Sequence, residues 1–387
     1  MDLTLPPRTL ALREEIRRWI DENLDDEVRA AARRRGGGGE EDERFEVLRR
    51  WNAKLVDAGW GAVSWPVEHG GRAATPVEEM VFNEEMARAG APGPVNAIGV
   101  ANIGPAIMAV GTPEQQARFL RPMLRGDEIW CQGMSEPDAG SDLASLRTHA
   151  VLDGDHFVVT GRKTWTSEGH RADWCQLYVR TDPAAPKHKG ISALLLDMRL
   201  DGIEARRITT MVGDAPFSEL HFDEVRVPAG ALLGELHDGW RVATTTLGFE
   251  RAGVIKLHAM VRAKLEALVL DLRNDPRRPL ADGRVRDRLM RRHVEVECLR
   301  LLGLRAVSRA EQQGVPGPEG SLAKLAWSLA DGAVTTTAVG TLGPGALLDG
   351  WGREACASRS LTIAGGTTEI NKNILAERVL GLPREPA

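Results

Sequence analysis

The sequence predicts a mostly helical fold interrupted by one all-β block: a helical N-terminal region, a small barrel or sandwich, and a C-terminal helix bundle. Three observations predict it. Apolar residues recur at helical spacing as far as about Gly126. Short strand-like runs take over between about Ile129 and Leu233. Long stretches with few breakers return from Gly239. Length agrees, because 387 residues exceed the roughly 250–300 that a single core holds.

The N-terminal block opens with LREEIRRWIDENL, where Leu12, Ile16, Ile20 and Leu24 recur every four residues and form one helical face. The run from Arg33 to Glu43 is charged and Gly-rich and reads as a flexible loop; the acids that follow its arginines at once argue against a basic recognition patch. Further helices are predicted at 44–58, 76–89, 93–110 and 112–121. Thr112 with Gln115 three residues on fits a capping box, and Pro113 fits the first helical position.

In the middle block, THAVLDGDHFVVTGRKTWTS holds two strands around the turn Asp153-Gly154-Asp155. WCQLYVRT, ISALLLDM, ELHFDEVRVP and ALLGEL continue the strand pattern, and many short strands with turns between them suggest a small barrel or sandwich. In the last block, four long helical stretches with short joins read as a bundle.

Composition excludes several classes of function. A net charge of −5 argues against a protein that coats nucleic acid or an acidic membrane. Charges interrupt every apolar run, so neither a signal peptide nor a membrane span is expected, and GLPREPA carries no lipidation or peroxisomal address. Cys131, Cys175, Cys298 and Cys356 are scattered and read as small buried hydrophobes of a reducing cytoplasm. The nine histidines show no metal spacing, so no metal is expected. The aromatics are skewed, with ten Trp, seven Phe and one Tyr, Tyr178, for which no catalytic role is expected.

The densest punctuation is Cys131 to Leu143, a strand end followed by a Ser/Gly/Pro/Asp loop. Such a loop can expose N–H groups and hydroxyls to a polar or anionic cofactor edge. Some thirty residues on, Gly161-Arg162-Lys163-Thr164-Trp165-Thr166-Ser167 puts a large flat ring and two hydroxyls on a strand end.

The motifs QGMSEPDAGSDLASLRT, GRKTWTS, FDEVRVP, LLG, GW, AGGTTEI and AERVLGLP, in this order and spacing, together with GWGAVSWPVEHGG and NEEMARAGAPGP near the front, resemble the acyl-CoA dehydrogenase family over nearly the whole chain. The resemblance implies an N-terminal helical domain (1–128), a β-barrel (129–234) and a C-terminal four-helix bundle (235–387). It implies FAD, held between barrel and bundle and completed by a neighbouring subunit. Carried over by motif, Gln132, Met134 and Ser135 would face the flavin, with Ser135 near its reactive edge. Ser141 would reach the pyrophosphate, and Trp165 would cover one flavin face. Thr166 and Ser167 would bond ring polar atoms, and Thr367 and Glu369 would lie near the adenosine half.

The chemistry so implied needs a carboxylate to take the α-proton of an acyl-CoA thioester while the β-hydrogen leaves as hydride. Many members carry that Glu just before the Gly-Thr of the C-terminal motif, where this chain has Gly365. Isovaleryl-CoA and long-chain members place it on the first bundle helix before an Arg, and here Gly248-Phe249-Glu250-Arg251 matches, so Glu250 is the expected base. Arg251, Phe249 and Ser141 are expected on the substrate side, with Thr246 and Phe249 setting pocket depth. Asp138 stands where Gly is usual and Glu168 where Asn is frequent. The usual inter-subunit cofactor motif is replaced by Arg284-Val285-Arg286-Asp287-Arg288, leaving Arg286 or Arg288 as substitutes. The expected partners are an acyl-CoA, an electron-transferring flavoprotein as acceptor, and further copies of the chain in a homodimer or homotetramer; neither nucleic acid nor membrane is expected. An acyl-carrier-protein dehydrogenase, an acyl-CoA oxidase, or a non-catalytic subunit of a mixed oligomer are the alternatives on the same fold.

Overall fold

The computed structural model describes residues 4–33, 40–254, 257–313, 319–348 and 350–383. In chain order there is a helical N-terminal region, one sheet, and a helical C-terminal region. The two compact units do not follow that order. One comprises Met1–Arg29, Ala74–Pro92 and Arg251–Ala387; the other comprises Ala30–Ala73 and Gly93–Glu250.

The first unit contains α1 (Pro7–Asn23), α4 (Pro76–Ala89), α8 (His258–Asn274), α9 (Gly283–Gln313), α10 (Glu319–Leu342), α11 (Gly350–Ala357) and α12 (Thr368–Arg378). Ile16 and Ile20 of α1 are buried, as their four-residue spacing requires. Helix α4 starts with a complete capping box between Thr75 and Glu78 and stops at Gly90 in the left-handed conformation. Its Glu85 is buried and held by Arg17 at 2.8 Å and Arg88 at 2.8 Å. One core joins three long helices: Val261, Leu265, Leu268 and Leu272 of α8, Val285, Leu289, Val296 and Leu299 of α9, and Ala330, Val334 and Ala338 of α10.

The second unit contains α3 (Glu40–Asp57), α5 (Gly104–Val110), α6 (Pro113–Arg125), the sheet, and the first turns of α7 (Gly239–Val254). Helix α2 (Asp26–Arg33) runs from the first unit into it and was not foreseen; of the predicted loop, 34–39 lie outside the described residues, and 40–43 are helical, as the first turn of α3. Helix α6 keeps its predicted capping box, Thr112 with Gln115. The helix predicted at 93–110 is shorter, because 91–94 are irregular around Pro94 and a π-turn at Gly99–Ile103 precedes α5. Buried Asn96 explains that entry: its amide donates to the carbonyls of Met123 at 2.9 Å and Glu128 at 3.0 Å and accepts from Trp130 N–H at 3.0 Å.

The eight strands are β1 (Trp130–Gly133), β2 (His149–Asp153), β3 (His156–Ser167), β4 (Trp174–Arg180), β5 (Ile191–Asp197), β6 (Ile203–Ile208), β7 (Phe217–Pro228) and β8 (Leu232–Leu233). They are ordered β6-β7-β3-β2-β4-β5-β8, with β1 parallel to β4. The sheet is not closed into a barrel, which corrects the β-barrel expectation. Its end strands β6 and β8 do not pair with each other, since β6 carries exposed Glu204, Arg206 and Arg207 and β8 is two residues long. Alternation along β4 sends Cys175, Leu177 and Val179 into one core with Phe157, Val159, Leu220 and Phe222. It sends Tyr178 into the other, with Trp130, Leu195, Val242 and Ala243.

Candidate active site

The Ser/Gly/Pro/Asp loop is built on a buried ion pair. Lys163 of β3 is fully buried, and its ammonium lies 2.8 Å from the Glu136 carboxylate and 3.0 Å from the Met134 carbonyl. Glu136 also accepts from the backbone N–H of Arg147 at 2.6 Å and Thr148 at 2.8 Å. Burial pushes the Glu136 carboxyl up, but the Lys163 charge and these hydrogen bonds outweigh it and hold the group below the usual carboxylate range. Thr164 N–H donates to the Ser135 carbonyl at 2.9 Å, which pins the loop to the end of β3. Met134 and Ser135 are half-buried, and Ser141 is exposed in the bend beyond. Asp138 sits in the tight turn closed by Glu136 and Ala139 without a left-handed backbone, so it fits where Gly is usual.

At the other side of this loop, β3 bulges. Its register with β7 slips between Lys163 and Thr166, and Trp165 takes φ +58°. A left-handed backbone costs a bulky residue about 1–2 kcal/mol. It leaves the indole 60% exposed, edge-on to Phe217 at 6.0 Å. Thr166 beside it is buried, and its Oγ1 has no protein partner. Ser167 is half-buried, and Glu168 also has a left-handed backbone, φ +57°, the conformation Asn tolerates better. A strained exposed Trp next to an orphaned hydroxyl fits a planar group with polar edges seated there.

Gln132 of β1 is half-buried and donates from Nε2 to Gln176 Oε1 at 2.9 Å. Gln176 reaches Thr246 of α7, which is fully buried; Thr246 therefore packs on the sheet rather than lining an open pocket, against the pocket-depth expectation. Phe249 is 38% exposed and Glu250 is half-buried near the end of α7. Arg251 continues α7; its side chain lies outside the described residues.

In the first unit, Thr367 caps α12 by accepting from Ile370 N–H at 3.1 Å, and Glu369 lies in the first turn. Gly365 and Gly366 are both left-handed, φ +67° and +86°. Lys324, buried, donates to the Gly366 carbonyl at 2.7 Å, and Asn371 donates to it at 2.8 Å. Arg286 turns onto the carbonyls of Leu280 and Ala281, whereas Arg288 lines an open groove of about 480 Å³ with Arg292 and Arg359. Among the described residues no group of three His, Cys, Asp or Glu side chains could hold a metal ion, and no helix is long and apolar enough to cross a membrane.

Three family models match the chain in order: the acyl-CoA dehydrogenase N-terminal domain over residues 6–127, the middle domain over 131–225 and the C-terminal domain over 237–380. The chain belongs to the acyl-CoA dehydrogenase family. Among curated relatives it is 41% identical to acyl-CoA dehydrogenase IpdE1 of Mycolicibacterium smegmatis, covering 96% of this chain and 97% of that one. It is 40% identical to acyl-CoA dehydrogenase IpdE1 of Mycobacterium tuberculosis over the same shares. Among solved structures it matches one described as the Tcur3481-Tcur3483 steroid ACAD, with TM-score 0.86 and 33% identity over all of both chains. The ChsE4-ChsE5 complex from Mycobacterium tuberculosis matches equally, at TM-score 0.86, 33% identity and full coverage of both chains. As an acyl-CoA dehydrogenase the chain is an FAD-dependent oxidoreductase of lipid metabolism.

The buried Lys163 and Glu136 were missed in the sequence, where both look like ordinary surface charges. So were Lys324 and Asn371. The only signal for the first pair was the inward phase of Lys163 on a strand, and the bulge before Thr166 obscures that phase.

Proposed function

We propose that this acyl-CoA dehydrogenase converts an acyl-CoA to its 2,3-enoyl-CoA with Glu250 as the base. The observation that carries this is the pair of positions: Gly365, left-handed and without a side chain, where many members carry their Glu, and a half-buried carboxylate at Glu250. Bound FAD supplies the acceptor for the β-hydride. Glu250 takes the α-proton, so the thioester loses one proton and one hydride and gains a double bond between its α and β carbons. Phe249, Arg251 and Ser141 contact the substrate. Gln132, Met134, Ser135 and Ser141 line the flavin and pyrophosphate side, Trp165 covers a ring face, Thr166 and Ser167 bond its polar edge, and Thr367 and Glu369 serve the adenosine half. The reading divides the chain at 128 and 234, with the helices after 234 forming a four-helix bundle, a division supported by the spans of the three family models.

Glu250→Gln tests this. FAD stays bound, and anaerobic bleaching of the flavin by acyl-CoA falls by about 10³-fold or more. Bleaching at the unaltered rate removes the base assignment. The acyl-CoA panel includes steroid-derived thioesters, supported by the steroid description of one structural relative. An electron-transferring flavoprotein in the cytoplasm would be the acceptor of the electrons, and the chain acts as a homodimer or homotetramer. A second reading, a subunit of a mixed oligomer, is supported by the two-protein descriptions of those relatives. Purified alone, such a subunit lacks FAD or fails to bleach.

A further inference from the structure

A buried chain of hydrogen bonds runs from the end of β1 to α7, and its polarity can be worked out. Thr246 Oγ1 donates its single proton to the Val242 carbonyl at 2.9 Å, one turn back on its own helix. Its lone pairs are therefore left to accept. The phenol of Tyr178 lies 3.1 Å away and must be the donor; burial pushes that phenol well up, so it keeps its proton. Gln176 donates its amide to the same oxygen at 3.4 Å. With Nε2 committed, Gln176 turns Oε1 to Gln132, which donates at 2.9 Å. Tyr178, Gln176 and Thr246 are all fully buried.

A valine would fill the Thr246 site at equal volume and spare the cost of burying a hydroxyl. The hydroxyl supplies direction instead. Thr246 and Glu250 are four residues apart, so they share one face of α7 on successive turns. Gln132 lies at the other end of the chain, three residues before Ser135.

We propose that Thr246 is a positioning residue for the dehydrogenation: its hydroxyl locks the rotation of the α7 turn that carries Glu250 and, through Gln176, the orientation of the Gln132 carboxamide beside the flavin loop. The proposal rests on the reading of Glu250 as base and Gln132 as a cofactor neighbour. It makes one side chain set both halves of the reacting geometry, where a shift of one ångström costs about 100-fold in rate.

The test uses holoenzyme variants Thr246→Ser, Thr246→Val, and Thr246→Val with Tyr178→Phe. The double variant leaves no orphaned phenol, so it separates positioning from simple satisfaction of Tyr178. Expected are wild-type behaviour for the serine variant and, for the double variant, retained FAD with a modest loss in melting from the Gln176 amide that has lost its acceptor. Its limiting rate of flavin reduction falls about 10- to 100-fold with little change in acyl-CoA affinity. Backbone amide exchange over 246–254 quickens in the double variant and not in the serine variant. Unchanged reduction and unchanged exchange in the double variant overturn the proposal. Glu250→Gln measured alongside keeps the two claims apart: if that variant reduces flavin normally, the base reading fails, and amide exchange together with the flavin absorption spectrum decides on Thr246 alone.

Discussion

Lys163 and Glu136 form an ion pair sealed from solvent, at 2.8 Å, beneath the loop that carries Met134 and Ser135. Neither charge is stable there without the other. Burial lowers the affinity of Lys163 for its proton, and the facing Glu136 carboxylate, by its charge and its hydrogen bond, is the largest influence opposing that.

Removing one partner should therefore cost more than removing both. Lys163→Met strands a buried carboxylate and is expected to cost about 3–5 kcal/mol in urea unfolding. Adding Glu136→Gln should recover part of that loss. If the double variant is less stable than the single one, the pair is not the organising element of this loop.

Trp165 offers a separation of stability from cofactor binding. Trp165→Gly relieves a left-handed backbone, so melting of the FAD-free protein should hold or rise. FAD affinity should nonetheless drop by about tenfold or more, because the flat face is gone. Fluorescence titration with FAD reads the affinity; an unchanged dissociation constant would count against the ring-covering role.

A pH dependence follows from His170. Burial first, then the charges of Arg207 and Arg171, lower it to about 4, while Glu41 and Asp42 oppose them. Arg171 donates to His170 Nε2 at 3.1 Å, so the folded state keeps the ring neutral. The unfolded chain takes up its proton first, near pH 6.5. This contribution to stability is present above that pH and lost as pH falls from about 6.5 towards about 4. His170→Gln, which keeps an acceptor, should flatten unfolding stability over that window. A slope identical to wild type would contradict the assignment.

The Gly365-Gly366 turn should resist conversion to the more frequent arrangement. Gly365→Glu places a side chain at φ +67° and is expected to cost about 1–2 kcal/mol without rescuing Glu250→Gln. Lys324→Met frees the Gly366 carbonyl from its 2.7 Å donor and should lower melting further. Rescue of flavin bleaching by Gly365→Glu would show that the turn can host the base.

Local rules made much of the fold legible. The capping box at Thr112 fixed the start of α6, and four-residue spacing fixed the buried face of α1. What escaped depended on distant partners. The start of the helix predicted at 93 is set by Asn96 reaching Met123 and Glu128. Sheet closure depends on which strands lie at the two ends, and the order that puts β6 and the short β8 there is not written in any one strand. At the site, the motif residues could be read, but the charges beneath them could not. The β3 register slips twice, near Gly161 and near Trp165, so alternation counted along the chain loses track of which residues face inward.

Because the sheet stays open, the strand path from β6 to β8 ends in two rims where a foreign strand could add. Each is defended differently. The β6 rim carries exposed Glu204, Arg206 and Arg207, and desolvating these charges would oppose lateral pairing. The β8 rim is cut to two residues, and the Gln115 amide already occupies the Leu232 carbonyl at 2.9 Å. The same glutamine that caps α6 thus shields a strand more than a hundred positions away, and changes at Gln115 should be felt as aggregation as much as helix fraying.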